Sequence, residues 1–120
     1  MYKEWTSQTT ELSALLREMR VGAPDVMKGF SALAQAALAA KALDTKTKEL
    51  IALAIGISTR CDGCIAFHAE AALKQGATRE EVMETIGMAI YMGAGPSVMY
   101  AAQAMEAYDQ FVAKTEKTPA

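Results

Sequence analysis

Aromatic side chains are scarce in this 120-residue chain, at 7%, so the 52% apolar content draws largely on Ala and Met. Ala favours helix, and Met fills irregular gaps between helices. Long apolar runs are also missing. The longest, Leu50 to Ile57, is interrupted by Gly56 and falls far short of the roughly 20 residues that span a bilayer. Basic blocks with interleaved aromatics are absent and the net charge is −2, which argues against binding nucleic acid or an anionic membrane surface. Residues 1–16 carry no apolar run of signal-peptide type, so the expectation is a soluble, cytoplasmic protein. Histidine occurs once and cysteine twice. Structural zinc usually takes a second Cys or His pair, and none is present. Haem attachment needs a histidine straight after the second cysteine, where this chain has Ile65. In a reducing compartment, a close cysteine pair points to catalysis or metal binding rather than to a permanent staple.

The length suggests one domain, 1–120, with a core at about 25–112. So small a chain has limited interior volume, and part of its apolar surface is expected to be buried against other copies of itself. Helix signals dominate, and the spacing predicts an all-α fold of six helices. Thr6 or Ser7 caps a first helix with Leu12, Leu15, Leu16 and Met19 at helical spacing. Pro24 opens a second helix that runs to about Ala40. Asp44 caps a third, from about Thr45 to Thr59, which is apolar all round near its end and is expected at the centre. A fourth runs from about Cys61 to Gln75 and is closed by Gly76. Thr78 and Glu81 have capping-box spacing and open a fifth. Gly93-Ala94-Gly95-Pro96 ends it, Pro96 starts a sixth to about Val112, and residues 114–120 form a fraying tail.

Chemistry concentrates between Glu49 and His68. On a helix, Cys61, Cys64 and His68 fall at i, i+3 and i+7, positions that share one face. A CxxC pair suits reversible disulfide chemistry: one sulfur attacks and the other resolves. An ordinary thiol has a pKa of about 8.5 and needs help to ionise at neutral pH. Cys61 lies near a helix start, where unpaired N–H groups favour an anion. His68 follows Cys64 by one turn and is placed to take its proton. Glu49 shares its helix face with Ala52, Leu53 and Gly56, which suggests an inward carboxylate able to orient His68 or pass it a proton.

The pattern Glu49-x11-Cys61-x2-Cys64-x3-His68 resembles the alkylhydroperoxidase D (AhpD)-like branch of the carboxymuconolactone decarboxylase superfamily. The run Ala-Leu-Lys-Gln-Gly-Ala-Thr-Arg-Glu-Glu-Val after the histidine fits as well. The resemblance implies a compact helical fold assembled as trimers or hexamers, with peroxide or disulfide reduction as the activity. It implies that Cys64 meets peroxide, that Cys61 resolves, and that Glu49 and His68 relay protons. An external dithiol, such as a thioredoxin-like or lipoyl protein, would restore the pair, and no cofactor is implied. One departure stands out: the best-known member carries a second histidine just before the second cysteine, and this chain has Gly63.

Other readings stay open at this level. Two helical thiols are often inert and buried, and Glu49, beside Lys46 and Lys48, equally suits a solvated first turn. Cys61, Cys64, His68 and Glu49 together have zinc-ligand chemistry. Decarboxylation of a small lactone acid and a non-catalytic helical assembly are the alternative functions. Decarboxylation needs proton transfer and anion binding rather than a dithiol.

Overall fold

The structure, a computed structural model, describes residues 1–117. Among them are five helices and no strand: α1 (Trp5–Gly22), α2 (Pro24–Leu38), α3 (Thr45–Ser58), α4 (Asp62–Lys74) and α5 (Arg79–Lys117). The expected count of six is therefore corrected to five. The helix expected to stop at Gly93 and the one expected to start at Pro96 form a single element, with only Ala94 outside helical dihedrals (φ 54°, ψ −138°). Pro96 does not end the helix because it falls in the first turn after that kink, where its missing N–H is not needed. Gly93 has a specific reason to be glycine: a Cβ there would run into the side chain of Ser97, which is buried against the kink. Residues 114–117, expected to fray, continue α5; the remainder of the expected tail, 118–120, lies outside the described residues.

The helix starts follow local chemistry. The Asp44 carboxylate accepts the Thr47 N–H at 2.7 Å, and these Thr47 hydrogen bonds hold its carboxyl below the usual range. At the start of α5, Thr78 Oγ1 accepts the Glu81 N–H at 3.1 Å while Glu81 Oε1 accepts the Thr78 N–H at 2.9 Å, a reciprocal cap. The first helix differs from expectation. It begins at Trp5 and has no side-chain cap. Contacts distant in sequence hold its start instead: the Trp5 indole donates to Glu106 Oε1 and the Trp5 N–H to Gln110 Oε1, both at 2.8 Å.

The core lies where α3, α4 and α5 meet. Leu53 and Ile57 of α3 pack with Ile65, Ala66, Ala69 and Ala72 of α4 and with Val82, Ile86, Ala104 and Phe111 of α5. The alanines let helix backbones come close, which is how a chain with few aromatics fills its interior. The Leu50–Ile57 run is only partly interior: Ile51 and Ile55 of the same helix are exposed. α2 buries no residue at all, and its Val26, Phe30 and Leu33 are 72%, 62% and 63% exposed.

Candidate active site

α3 and α4 form a helical hairpin joined by a tight connection. The Arg60 N–H donates to the Ile57 carbonyl at 3.1 Å and the Cys61 N–H to the Gly56 carbonyl at 3.0 Å. Arg60 takes φ 57° to make the reversal. The two helices close tightly where α3 ends and α4 begins. A Cβ on Gly56 would stand 3.1 Å from Cys64 Cβ and 3.5 Å from the Ile65 amide nitrogen, so only glycine lets α4 start so near α3.

Cys61 is not the first residue of α4, as its sequence position suggested, but its N-cap, with extended dihedrals (φ −104°, ψ 100°). Its sulfur accepts the Cys64 N–H at 3.1 Å, the role a serine or aspartate oxygen plays at other helix starts. Capping turns the Cys61 side chain back over the first turn, where it is bonded to Cys64 in a disulfide. In the reduced state the same position sets a sulfur against unpaired N–H groups and the positive end of the helix dipole, which stabilises a thiolate.

One turn beyond Cys64, His68 Nδ1 donates to Glu49 Oε1 at 2.8 Å. Glu49 is 6% exposed, while His68 keeps a third of its side chain in solvent. Glu49 and Gly56 are seven residues apart on α3, two turns along one face. Cys64 lies against the Gly56 end of that face and His68 against the Glu49 end, so cysteine and imidazole both face α3. Donation from Nδ1 fixes the neutral tautomer in which Nε2 is the basic nitrogen. The structure thus joins the four singled-out residues into two bonded pairs on adjacent turns. Glu49 is inside, not in a solvated first turn. Among the described residues, no three His, Cys, Asp or Glu side chains are grouped to hold a metal ion.

Two features around the pair had no signal in the sequence. Leu12 of α1 lies over Gly63: a Cβ at position 63 would meet Leu12 Cδ1 at 3.2 Å. The glycine standing where the resemblance has a histidine is therefore a packing position under α1. Lys3, outside every helix, reaches Asp62 between the cysteines, Nζ to Oδ2 2.7 Å. Both contacts bridge segments about 50 residues or more apart, so no local pattern announces them.

The chain as a whole has counterparts of known classification. The model of the carboxymuconolactone decarboxylase family matches residues 24–107. The chain belongs to the carboxymuconolactone decarboxylase family. A solved family member from Legionella pneumophila, in its apo form, superposes with a TM-score of 0.88 at 51% identity, over 89% of this chain and 96% of that one. A family protein from Thermotoga maritima, for which a part in antioxidative response is suggested, superposes with a TM-score of 0.81 at 27% identity, over 92% of this chain and 97% of its own. In sequence, an uncharacterized Cupriavidus necator protein is 34% identical over 91% of this chain and 96% of itself. Uncharacterized protein 4 of the Paracoccus denitrificans cox locus is 38% identical over 82% and 88%. Within the family, the cysteine pair and the Glu49–His68 couple agree with the AhpD-like branch.

Proposed function

We propose that this family member is a thiol-dependent peroxidase and disulfide reductase that cycles Cys61 and Cys64 between dithiol and disulfide. The observation that carries the reading is the cysteine pair, bonded at the N-terminus of α4, one turn from an imidazole held by a buried carboxylate. The antioxidative part suggested for the Thermotoga maritima relative supports it.

In the proposed cycle His68 Nε2 takes the Cys64 proton, and Glu49 stabilises the imidazolium. The Cys64 thiolate attacks one peroxide oxygen. An S–O bond forms, the O–O bond breaks, and the leaving alkoxide collects the proton as an alcohol. Cys61 then attacks the Cys64 sulfur and expels water, which leaves the disulfide. Two thiols and one peroxide become one disulfide, one alcohol and one water. An external dithiol reduces the pair by exchange and is itself oxidised. Disulfide exchange begun by Cys61 is a second reading, favoured by the Cys61 sulfur standing at the helix cap.

The exposed apolar residues of α2, together with Tyr91, Met92 and Met99 of α5, support assembly with other copies of the chain, as the trimers or hexamers that the family resemblance implies. Light scattering on the purified chain tests this, and a monomer at micromolar concentration rejects it. The catalytic reading is tested by peroxide consumption with an added dithiol. Cys64→Ser is expected to fall to the uncatalysed rate, and Cys61→Ser to accumulate a sulfenic acid. Wild-type turnover by Cys64→Ser would sink the peroxidase reading. Lactone decarboxylation and an assembly-only role predict thiols that never cycle.

A further inference from the structure

The first turn of α4 contains an unfavourable charge. Asp62 sits between the two cysteines at the first helical position, and its carboxylate is 41% exposed. A carboxylate there suits the helix dipole. It also sets a negative charge within roughly 6–9 Å of either sulfur, one or two residues away along the chain, where it opposes formation of a thiolate.

Lys3 meets that charge, and its position is built rather than incidental. Its Nζ donates to Asp62 Oδ2 and to Gln103 Oε1, each at 2.7 Å. Its backbone is held as well: the Lys3 N–H donates to Glu106 Oε1 at 2.9 Å, and its carbonyl accepts from Gln110 Nε2 at 2.6 Å. Two residues on, Trp5 is fully buried. A surface lysine on a loose N-terminal segment would lose much of its pairing to side-chain entropy. Here the segment is fixed to α5 at several points and delivers one ammonium group to one carboxylate.

We propose that Lys3 is a positioning residue of the dithiol site, which neutralises and holds Asp62 so that the reduced cysteines do not ionise against an unpaired negative charge. This rests on the redox reading of Cys61 and Cys64 above. The other charged groups near this end of α4 include Arg60 on the connection, the Glu49–His68 couple on the α3 side, and Glu106 of α5, which accepts from the N-terminal backbone. α1 contributes the apolar Leu12. None of these bonds Asp62; its ion-pair partner is Lys3.

The test is the pH profile of iodoacetamide alkylation at each cysteine, read by peptide mass spectrometry on the reduced full-length chain. Lys3→Met leaves Asp62 unpaired and is expected to raise the profile midpoint by roughly half a pH unit, about a three-fold loss of thiolate at neutral pH, since both groups are partly solvated. Lys3→Arg keeps the charge and is expected to keep the wild-type midpoint. Asp62→Asn leaves the ammonium unpaired and is expected to lower it. Opposite signs for Lys3→Met and Asp62→Asn mark electrostatics; unchanged midpoints, or shifts in the same direction, overturn the proposal. Asp62→Asn retains every bond between the N-terminal segment and α5, so an unchanged or raised midpoint in it overturns the proposal even if Lys3→Met unfolds that segment. Wild-type thiols that form no disulfide with either peroxide or an added disulfide would instead overturn the redox reading, a result independent of any Lys3 effect.

Discussion

Gly56→Ala is the substitution that most directly probes how α3 delivers α4 to the site. The added methyl would sit 3.1 Å from Cys64 Cβ and 3.5 Å from the Cys64 carbonyl carbon and the Ile65 nitrogen. Carbon–carbon contacts are comfortable at about 3.5–4.0 Å. None of the three atoms is the free end of a flexible side chain, so relief requires α4 to move by a few tenths of an ångström. Overpacking of this kind costs about 1–3 kcal/mol, while replacing a mid-helix glycine by alanine gains about 0.8–1 kcal/mol. The net expectation is a loss of about 1 kcal/mol. Gly29→Ala is the reference: Gly29 lies within α2 with nothing within 4 Å of an added Cβ in the same chain, so within one chain only the gain applies. Urea unfolding midpoints of the two variants, in oxidised and reduced protein, measure the difference, expected at about 1–3 kcal/mol. The shift also strains the bond from the Cys61 N–H to the Gly56 carbonyl, so disulfide formation should slow in Gly56→Ala alone. Equal stabilisation by both substitutions would refute the close-approach reasoning.

Three further outcomes are expected. Glu49→Gln removes the charge that stabilises a protonated His68, so peroxide-driven disulfide formation should slow by about 100-fold; an unchanged rate takes Glu49 out of the relay. Glu106 gives an acid-sensitive tether: burial pushes its carboxyl up, but hydrogen bonds from the Tyr2 and Lys3 backbone and the Trp5 indole outweigh this and set it below the ordinary 4.5. Its folded value is depressed, so its stabilisation is complete above pH 4.5 and is lost as pH falls through the folded value. Emission from Trp5, the single tryptophan, should shift red over that acid range in the wild type, while Glu106→Gln should show the red shift already at neutral pH. Tyr108 donates from its hydroxyl to the buried Ala77 carbonyl at 2.7 Å. Tyr108→Phe strands that acceptor and should lower unfolding stability by about 1–2 kcal/mol; a midpoint equal to wild type would mean the carbonyl finds another partner.

What could be read along the chain was what depends on neighbours a few residues apart. The Asp44 cap, the Thr78–Glu81 capping box and Pro24 in a first turn are local, and each fixes a helix start within one turn. The Glu49, Cys61, Cys64 and His68 pattern is local too, because helical spacing converts a sequence offset into a shared face. The break at Gly93 to Pro96 falls where the pattern places it, at Ala94, but it is a kink inside one element rather than a boundary between two. Glycine and proline report a local weakness in the helix, and whether the helix ends there or only kinks depends on the packing on either side. Here Ser97 is buried against Gly93, and the chain continues in helix after one residue.

By itself, then, the sequence determined the helices, most of their starts and the residue types that bring chemistry to the start of α4. Only the tertiary structure decided that Glu49 is buried against His68, that Gly63 lies under Leu12, and that Lys3 crosses 59 residues to reach Asp62. It also decided that α2 keeps its apolar side chains in solvent within one chain. The reason is range: backbone hydrogen bonding and side-chain spacing act over three or four residues, while burial and ion pairing depend on which distant segments the packed helices bring together.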